Sequence, residues 1–409
     1  DSHQILEASQ YGFRRKHSTY MALLDLVDKI SCSLDDKLYS IGVFMDLSKA
    51  FDTVDHTILL DKLQLYGVRG LACDWFKDYL NNRKQFVQIG DVRSSYLTVT
   101  CGVPQGSILG PLLFLIYIND IIHVSDKCDA ILFADDTNLF FQHKDLKCLT
   151  DIVNDELSKI FNWFNLNKLS VNLKKTNFML FKMKNKKYVM NNKIQINNTE
   201  IMSVEKTKFL GVIINENLTW NDHVMLIKQK IAKSIGVISR VRYCMPRMVL
   251  LQLYHTLIEP YLIYCNIIWA ANHSTTVNQL FIMQKKAVRL ITFSHWQCHT
   301  KPLFIRLSLL SVQKINRLQL ACFMYNARHK LLPVQFTKMF ILNTDVHKYG
   351  TRHREHIHLL HYRTNVCKYT ARFLGPSLWN TLSDELKKLP TYNLFKQKMS
   401  EFLLLSDAV

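Results

Sequence analysis

The most informative stretch of the chain is a pair of adjacent carboxylates set between two short apolar runs. Asp135 and Asp136 stand between the apolar runs at residues 130–132 and 139–141. Two strand-forming runs joined by so short a link predict a β-hairpin whose tip carries both aspartates. Because two neighbouring negative charges repel each other, the arrangement needs a cation.

A second strand-forming run, residues 41–45, ends directly before Asp46. Three carboxylates from two strands suit a pair of Mg²⁺ ions, with Mn²⁺ as a substitute, that would join a nucleoside triphosphate to a primer hydroxyl for phosphoryl transfer. Pairs of aspartates are also common in solvated turns. The apolar surroundings favour the metal interpretation, because a structural turn gains nothing from two charges that must be desolvated.

A segment with three glycines and two prolines, residues 102–114, lies between the two carboxylate strands. Gly106 would let a ligand approach the main chain closely, and Gln105 beside it could hydrogen-bond a base or a sugar edge. An apolar helix is expected from about residue 112 to residue 122. Taken alone, the segment fits an ordinary loop entering a core helix equally well.

Periodicity predicts the remaining elements of the first 200 residues. Leucine and aromatic residues recur at helical spacing, and shorter runs alternate as in strands. The result is an α+β fold in which helices back an antiparallel sheet. The predicted helices are residues 59–65, 75–80 and 146–164, the predicted second hairpin pairs residues 85–89 with 96–100, and a further strand is residues 177–181.

Together these segments resemble the reverse transcriptases of non-LTR retrotransposons, which are LINE-like elements, and particularly their jockey and chicken-repeat-like lineages. The resemblance covers most of the chain and rests on six motifs in the order of the family. Residues 44–52 are similar to its motif A and residues 133–136, Phe-Ala-Asp-Asp, to its motif C. The other four are residues 10–14 with Ser18 and Thr19 (fingers), 102–114 (motif B), 169–176 (motif D) and 209–212 (primer grip).

The resemblance implies a right-hand polymerase with three domains. Partial fingers and the palm would occupy residues 1–205, and a primer-grip hairpin with a helical thumb would occupy residues 206–300. Residues 301–409 would form a basic helical C-terminal region whose task the sequence does not reveal.

The resemblance also implies that three aspartates are the catalytic metal ligands: Asp46, Asp135 and, most peripheral, Asp136. The backbone after Asp46 would hold the triphosphate. Lys175 is the candidate proton donor to the departing pyrophosphate, because an ammonium group near the leaving group both neutralises and protonates it. Lys174 is adjacent, and either lysine could simply be solvated.

Three further residues would line the nucleotide pocket by the same resemblance. Phe51 would be a steric gate, because its ring would fill the space that a ribose 2′-hydroxyl needs and so favour deoxynucleotides. The alternative interpretation of Phe51 is a core aromatic. Gln105 and Gly106 would contact the nucleotide and the template.

Residues 219–222 have the form of a helix capping box and precede an amphipathic helix. Lys230, Lys233 and Arg240 fall on its polar side at about 100° per residue. We expect this to be the thumb helix that lies against the template–primer duplex, although an ordinary solvated face shows the same pattern. The apolar face carries Val224, Ile227, Ile231, Ile235 and Ile238.

The formal charge of +19 is distributed unevenly along the chain. Residues 201–300 carry 11 Lys and Arg against 4 Asp and Glu, and residues 301–409 carry 17 against 6, which leaves only +1 for residues 1–200. We therefore expect the basic surface outside the catalytic module, where it would clamp a phosphate backbone. Charge alone would also suit a membrane-surface or ribosomal protein. A chain of 409 residues with 48% hydrophobic content can bury more than one core.

Ten cysteines without a Cys-X-X-Cys pair predict reduced, buried thiols in an intracellular protein, with nucleus and cytoplasm both compatible. The His-rich residues 352–358 predict a solvated or RNA-contacting basic patch rather than a zinc site, because no cysteine has zinc-site spacing. Residues 107–122 and 249–270 are apolar but interrupted by Pro and polar residues, so neither predicts a membrane span.

We expect an RNA-directed DNA polymerase that acts on an RNA template with a DNA primer or target and deoxynucleoside triphosphates. The early fingers strands of the family are not visible before residue 10, so we also expect an N-terminally truncated copy with weakened turnover. One alternative is a protein that keeps the fold and binds nucleic acid without turnover. Another is a polymerase of the group II intron or retron type, although the tail lacks the maturase-type signature.

Overall fold

A computed structural model describes residues 5–183, 193–271, 275–346 and 354–406. The chain forms two compact units. We call the first, residues 1–22 and 37–205, the sheet unit, and the second, residues 23–36 and 206–409, the helical unit.

This division resembles the predicted domains in one respect and differs in two. It ends the sheet unit at residue 205, where the palm was predicted to end. It assigns residues 23–36 to the helical unit, and it keeps residues 206–300 and 301–409 together.

Helices and strands alternate through the first half of the chain. Two short 3₁₀ helices, Ala50–Asp52 and Asn119–Val124, lie among them. The elements are α1 (Thr19–Asp35), β1 (Tyr39–Met45), α2 (His56–Leu65), α3 (Leu71–Leu80), β2 (Lys84–Gln85), β3 (Gln88–Ile89), β4 (Val92–Arg93), β5 (Leu97–Thr98), α4 (Leu109–Ile118), β6 (Asp129–Phe133), β7 (Asp136–His143), α5 (Leu146–Leu166), β8 (Asn177–Phe181), β9 (Gln195–Ile196), β10 (Thr199–Glu200) and β11 (Met202–Ser203).

The sheet unit is built on a five-stranded sheet with the order β11–β8–β1–β7–β6. Its neighbours pair antiparallel except for β11 and β8, which are parallel. Alternate residues of the central strand, Ile41, Val43 and Met45, belong to one buried core because every second side chain of a strand faces the same side. The predicted α+β class, a largely antiparallel sheet backed by helices, is confirmed.

Helices cover that side of the sheet because each carries an apolar stripe. Leu59 and Leu63 lie one turn apart on α2, and Phe114 and Ile118 are similarly spaced on α4. Along α5 the buried residues recur every three or four positions: Val153, Leu157, Ile160 and Phe164.

The predicted elements agree closely with those observed. The predicted strand at residues 177–181 coincides with β8. Helix α4 begins earlier than predicted, at Leu109, and it ends at Ile118, so the predicted end near residue 122 falls in the 3₁₀ helix Asn119–Val124. At its start the Ser107 hydroxyl accepts a hydrogen bond from the Gly110 N–H at 2.9 Å, which satisfies one donor of the first turn. The second hairpin is present, but as two short exposed ladders, β2–β5 and β3–β4.

In the described residues from 206 onward, the helical unit begins with a β-hairpin and continues with helices. Helix α12, defined below, lies at its centre and packs against α9, α10, α16 and α18. The elements are β12 (Lys206–Phe209), β13 (Val212–Asn215), α6 (Asn221–Val241), α7 (Arg247–Leu257), α8 (Glu259–Ile263), α9 (Asn266–Trp269), α10 (Thr275–Thr292), α11 (Lys301–Arg306), α12 (Val312–Arg328), α13 (Val334–Thr337), α14 (Asn343–Val346), α15 (Asn365–Lys368), α16 (Ala371–Thr381), α17 (Asp384–Lys387) and α18 (Tyr392–Leu405).

Side chains near the C-terminus hold the later part of α1 within the helical unit. The Asp35 carboxylate accepts hydrogen bonds from the Thr364 N–H at 2.6 Å and from the Thr364 hydroxyl at 2.7 Å. The Arg372 guanidinium lies 2.9 Å from the Asp28 carboxylate. These contacts join segments more than 300 residues apart in sequence and were not predicted.

Helix α6 has the predicted apolar face but not the predicted cap. All five of its predicted apolar residues are buried. The capping-box prediction was wrong, because Trp220 stands at the N-cap with φ +61° and no capping side chain. The Thr219 hydroxyl instead accepts a hydrogen bond from Asn215 at 2.6 Å, and Asp222 accepts one from Lys206 at 2.8 Å.

The cysteines agree with the sequence only in part. All ten are free, but four are exposed, so the prediction of buried thiols was wrong for Cys101, Cys148, Cys244 and Cys298. Of the helices that the structure describes, none combines the length and the apolar character needed to cross a bilayer.

Candidate active site

Strand register brings the three predicted carboxylates to one end of the sheet. Met45 pairs with Thr137 as the last pair between β1 and β7, so Asp46 follows one step further, opposite Asp136. Phe133 pairs with Asp136, which leaves Ala134 and Asp135 as a two-residue turn. The predicted hairpin is therefore present, with the aspartates at its tip.

The carboxylates lie close enough to influence one another. Partial desolvation at the strand end, together with the charges of Asp135 and Asp46, raises the pKa of Asp136 to about 6. Like charges held side by side in this way favour proton or cation uptake. The negative charge of the site therefore favours the binding of a positively charged group.

Lys175 supplies one such charge, since its Nζ lies 3.3 Å from Oδ2 of Asp46. Both side chains are substantially exposed, so this ion pair contributes little to stability. Backbone contacts place the lysine there: the Asn172 N–H donates to the Asp46 carbonyl at 2.8 Å, and the Ser48 N–H donates to the Ser170 carbonyl at 2.8 Å.

The carboxylate oxygens are the donors that Mg²⁺ and Mn²⁺ prefer. Throughout the part of the chain that the structure describes, no group of three or more His, Cys, Asp and Glu side chains is arranged to hold a metal ion as it stands. The residues of the site fit such an ion by charge and by donor type. Their side chains would have to rotate towards a common centre.

The glycine- and proline-containing loop is fixed against the segment that follows Asp46. The Gly102 N–H donates to the Val54 carbonyl at 2.7 Å, and the Val103 N–H donates to the Phe51 carbonyl at 2.9 Å. Gly102 has φ +88°, and a Cβ atom there would lie 2.8 Å from the Asp52 carbonyl oxygen. Only glycine allows so close an approach, so the two predicted motifs form one surface.

Gln105 and Gly106 are both exposed on this loop. The Gln105 amide donates from Nε2 to the Asp52 carboxylate at 2.7 Å, which leaves its Oε1 as an acceptor. Gly106 has φ +81°, and nothing lies within 4 Å of a Cβ atom built there. The space above Gly106 is therefore open to a ligand.

Phe51 is half-buried and packs against two other rings. Its ring centroid lies 4.5 Å from that of Phe114 and 6.3 Å from that of Phe13. Phe114 is fully buried, whereas Phe13 is 62% exposed. One edge of Phe51 is thus anchored in the core, an arrangement that suits both the steric gate and the core aromatic.

Gln10 supports the aspartate turn, a role that the sequence did not reveal. Its buried Oε1 accepts hydrogen bonds from the Gly12 N–H at 2.8 Å and from the Ala134 N–H at 3.0 Å. Ala134 has a left-handed backbone, φ +56°, and Gly12 leaves no room for a Cβ atom, which would lie 2.5 Å from Ala134 N. The buried glutamine therefore positions the turn that carries Asp135.

The predicted nucleic-acid-binding cations of the helical unit are all exposed on α6. Lys230 lies over the Tyr261 ring with Nζ 5.0 Å from its centroid, and Lys233 and Arg240 face outward on later turns. Of the predicted His-rich patch, Arg352 and His353 lie outside the described residues.

Comparison with known proteins identifies relatives of this chain. Residues 1–214 match the family described as "Reverse transcriptase (RNA-dependent DNA polymerase)". The chain is 28% identical over 326 residues to the "Probable RNA-directed DNA polymerase from transposon X-element" of Drosophila melanogaster, covering 76% of this chain and 35% of that protein. It is 26% identical over 308 residues to the "RNA-directed DNA polymerase from mobile element jockey" of the same species, covering 71% and 32%.

The chain thus spans about a third of the length of these curated relatives. Among solved structures, it is similar to telomerase from Candida tropicalis in complex with a fragment of telomeric RNA. That match has a TM-score of 0.38 and 12% identity, and covers 73% of this chain and 53% of the telomerase chain.

Proposed function

The chain belongs to the reverse transcriptase family, in its LINE-like, jockey-type branch, and from that membership we propose that it polymerises DNA on an RNA template. The substrates would be deoxynucleoside triphosphates and the 3′-hydroxyl of a DNA primer or target. The observation that carries the proposal is the strand register, which sets Asp46 opposite Asp136 and beside the turn that contains Asp135.

Asp46, Asp135 and Asp136 would hold two divalent cations, Mg²⁺ or Mn²⁺. Their oxygen donors fit, and positive charge would offset the partial desolvation and the mutual repulsion that together raise the pKa of Asp136 to about 6. Once bound, such ions activate the attacking hydroxyl and neutralise the charge that develops on the phosphates.

Other residues of the chain would position the substrate and move a proton. Lys175, now beside Asp46, would turn to the departing pyrophosphate and protonate it. Gln105 would offer its Oε1 to a base or a sugar, since Asp52 already holds its Nε2. Open space above Gly106 would admit the nucleotide or the template.

Phe51 would select the sugar. The ring packs 4.5 Å from the fully buried Phe114, so it could not easily swing aside for a 2′-hydroxyl. A side chain that is anchored on one edge and half-exposed on the other is suited to such steric exclusion.

The exposed Lys230, Lys233 and Arg240 of α6 would bind the phosphates of the template–primer duplex. The uneven charge also favours a second candidate function, nucleic-acid binding without turnover, because all but +1 of the net +19 lies after residue 200. The two candidates differ only in whether the carboxylate site is active.

A primer-extension assay with the intact chain, poly(rA)–oligo(dT), dTTP and Mg²⁺ distinguishes them. Asp135→Asn should reduce extension by about a hundredfold or more while leaving duplex binding nearly unchanged. Asp126→Asn is the matched control, because it removes the same charge from an exposed position ahead of β6. Extension that survives Asp135→Asn would refute the site, and binding without any extension by the intact chain would select the second function.

A further inference from the structure

A cavity of about 330 Å³ opens within the helical unit and is lined by residues of that unit alone. It lies between α10, α11, the start of α12 and the end of α18. Residues of three chemical kinds line it: phenyl rings, lysines and a buried amide. They include Phe281, Lys285, Lys301, Phe304, Gln313 and Lys314.

The cavity is strongly basic. Among the described residues that line it there are three lysines and one histidine, His299, but no Asp or Glu. No acidic residue occurs in the sequence between Glu259 and Asp345, a stretch that contains ten Lys and Arg. An anionic ligand would therefore meet a wall on which positively charged side chains predominate.

Gln313 adds a polar side chain to the lining. The residue is only 8% exposed, it borders the cavity, and within the described chain its side-chain amide has no hydrogen-bond partner. The amide atoms themselves are not fully enclosed, so they are accessible to a ligand in the cavity. By contrast, Lys314 donates to the carbonyl oxygens of Leu404 at 3.4 Å and Ser406 at 3.0 Å, which keeps its ammonium at the wall.

Two aromatic rings complete the lining. The centroids of Phe281 and Phe304 are 6.0 Å apart, and the Lys285 ammonium lies 4.2 Å from the Phe281 centroid. A flat heterocycle can stack on such rings while the neighbouring lysines hold a phosphate. Rings, cations and one free amide are the combination that a nucleotide requires.

The same chemistry continues along α10 beyond the cavity. Phe281, Lys285 and Arg289 follow one another at intervals of four residues, so they lie along one side of the helix, and Phe293 directly follows the helix end. Past its end, the Arg242 guanidinium lies 4.8 Å from the Tyr243 ring and 4.9 Å from the Phe293 ring. Exposed aromatic rings stacked with arginine are a platform for unpaired bases.

We propose that this cavity binds one nucleotide of a single-stranded nucleic acid, whose neighbouring nucleotides lie along α10 towards Phe293. The site is separate from the polymerase site proposed above and does not depend on it. Phosphates would contact Lys285 and Lys301, the base would stack in the cavity, and Gln313 would hydrogen-bond its edge.

Fluorescence anisotropy of the intact chain with a labelled oligouridylate tests the proposal. Lys285→Gln should weaken binding by about tenfold, because it removes a charge-assisted contact. Lys286→Gln is the matched control: it removes the same charge from the next position of α10, which is exposed and does not line the cavity. Lys285→Gln should also lower the salt dependence of binding by about one ion, whereas Lys286→Gln should leave it unchanged. Lys301→Gln, at an exposed position, provides a second cavity variant with little risk to folding.

Competition identifies the source of the nucleotide. An unlabelled single strand should displace the probe at much lower concentration than a duplex of equal length or uridine monophosphate. If the monophosphate competes as well as the strand, the cavity takes a free nucleotide and the strand along α10 is wrong. Equal weakening by Lys285→Gln and Lys286→Gln would overturn the site itself and leave only general charge attraction.

Discussion

The sheet unit and the helical unit differ in what holds their functional surfaces in place. In the sheet unit, backbone pairing does most of this: the register of β1, β6 and β7 sets Asp46 opposite Asp136 and defines the turn at Asp135, which Gln10 supports. In the helical unit, side chains join distant segments, as Asp35 does with Thr364. Side-chain substitutions should therefore impair chemistry in the first unit and stability in the second.

Breaking the side-chain contacts that join distant segments should lower the stability of the helical unit. Asp28 is mostly buried, and burial raises its pKa to about 6 although Arg372 acts in the opposite direction. Removing one partner of such a pair leaves a buried charge unpaired. Asp35 is only half-buried, but the Thr364 side chain that it binds is buried, and its carboxylate also accepts a hydrogen bond from the Arg363 N–H at 3.2 Å.

The largest expected effect is therefore that of Asp35→Ala. Loss of the carboxylate leaves the Thr364 N–H and hydroxyl without their acceptor, which should destabilise the helical unit by about 3 kcal/mol. Hydrogen exchange read by peptide mass spectrometry can follow each unit separately, as a chain of two units requires.

Asp36→Ala is the control for this change, since Asp36 is adjacent and exposed. Peptides of residues 23–36 and 363–372 should lose protection in Asp35→Ala but not in Asp36→Ala. Equal protection in both variants would contradict the importance of side-chain pairs in the helical unit.

The same contrast explains which parts of the structure could be predicted. The strand β8, the helix α5 and the aspartate hairpin follow from local periodicity and turn length, so the sequence revealed them. The pairing of Asp35 with Thr364 has no local signature, because either residue would suit a solvated loop. Gln10 was missed for a similar reason, since its acceptor role exists only when residues 10 and 134 are brought together.

A second large effect should appear on acidification, through His223 in the helical unit. Burial, aided by the charge of Lys230, lowers the pKa of His223 to about 4. The unfolded chain binds this proton more readily, so the stability contribution is complete above pH 6.5 and is lost as the pH falls towards 4. Between about pH 7 and pH 5 the loss should be about 2 kcal/mol.

His223→Gln isolates this effect, because glutamine does not titrate and can still accept the hydrogen bond that the Ile213 N–H donates at 3.3 Å. The unfolding temperature should depend less steeply on pH across this range in the variant than in the parent chain. Identical pH profiles would mean that the titration of other groups governs acid sensitivity.

Within the sheet unit, a single substitution at Phe51 should alter the choice between ribonucleotides and deoxynucleotides rather than the stability of the fold. Phe51→Val would open the space beside the proposed sugar position, and the ratio of ribonucleotide to deoxynucleotide incorporation should rise about tenfold. Single-nucleotide primer extension with each substrate measures this ratio. An unchanged ratio, with a lower unfolding temperature, would identify Phe51 as a core aromatic packed on Phe114.

The smallest effect we predict concerns Gln10, the side chain that supports the sheet unit where strand pairing ends. Gln10→Met keeps the length of the side chain but removes the oxygen that accepts from Gly12 and Ala134. Two buried N–H groups would lose their acceptor, and the turn with Asp135 should become less well positioned. We expect extension to fall about fivefold and duplex binding to stay the same.

A role of Gln10 in positioning Asp135 predicts one more effect, which a purely structural role does not predict. If Gln10 aligns Asp135 for the proposed cations, Gln10→Met should raise the Mg²⁺ concentration needed for half-maximal extension, because a misplaced ligand binds the ion less tightly. Gln88→Met, an exposed position on β3, is the matched control. A lower rate with an unchanged Mg²⁺ requirement would show that Gln10 stabilises the fold without aligning the site, and that backbone register alone is enough to place the carboxylates.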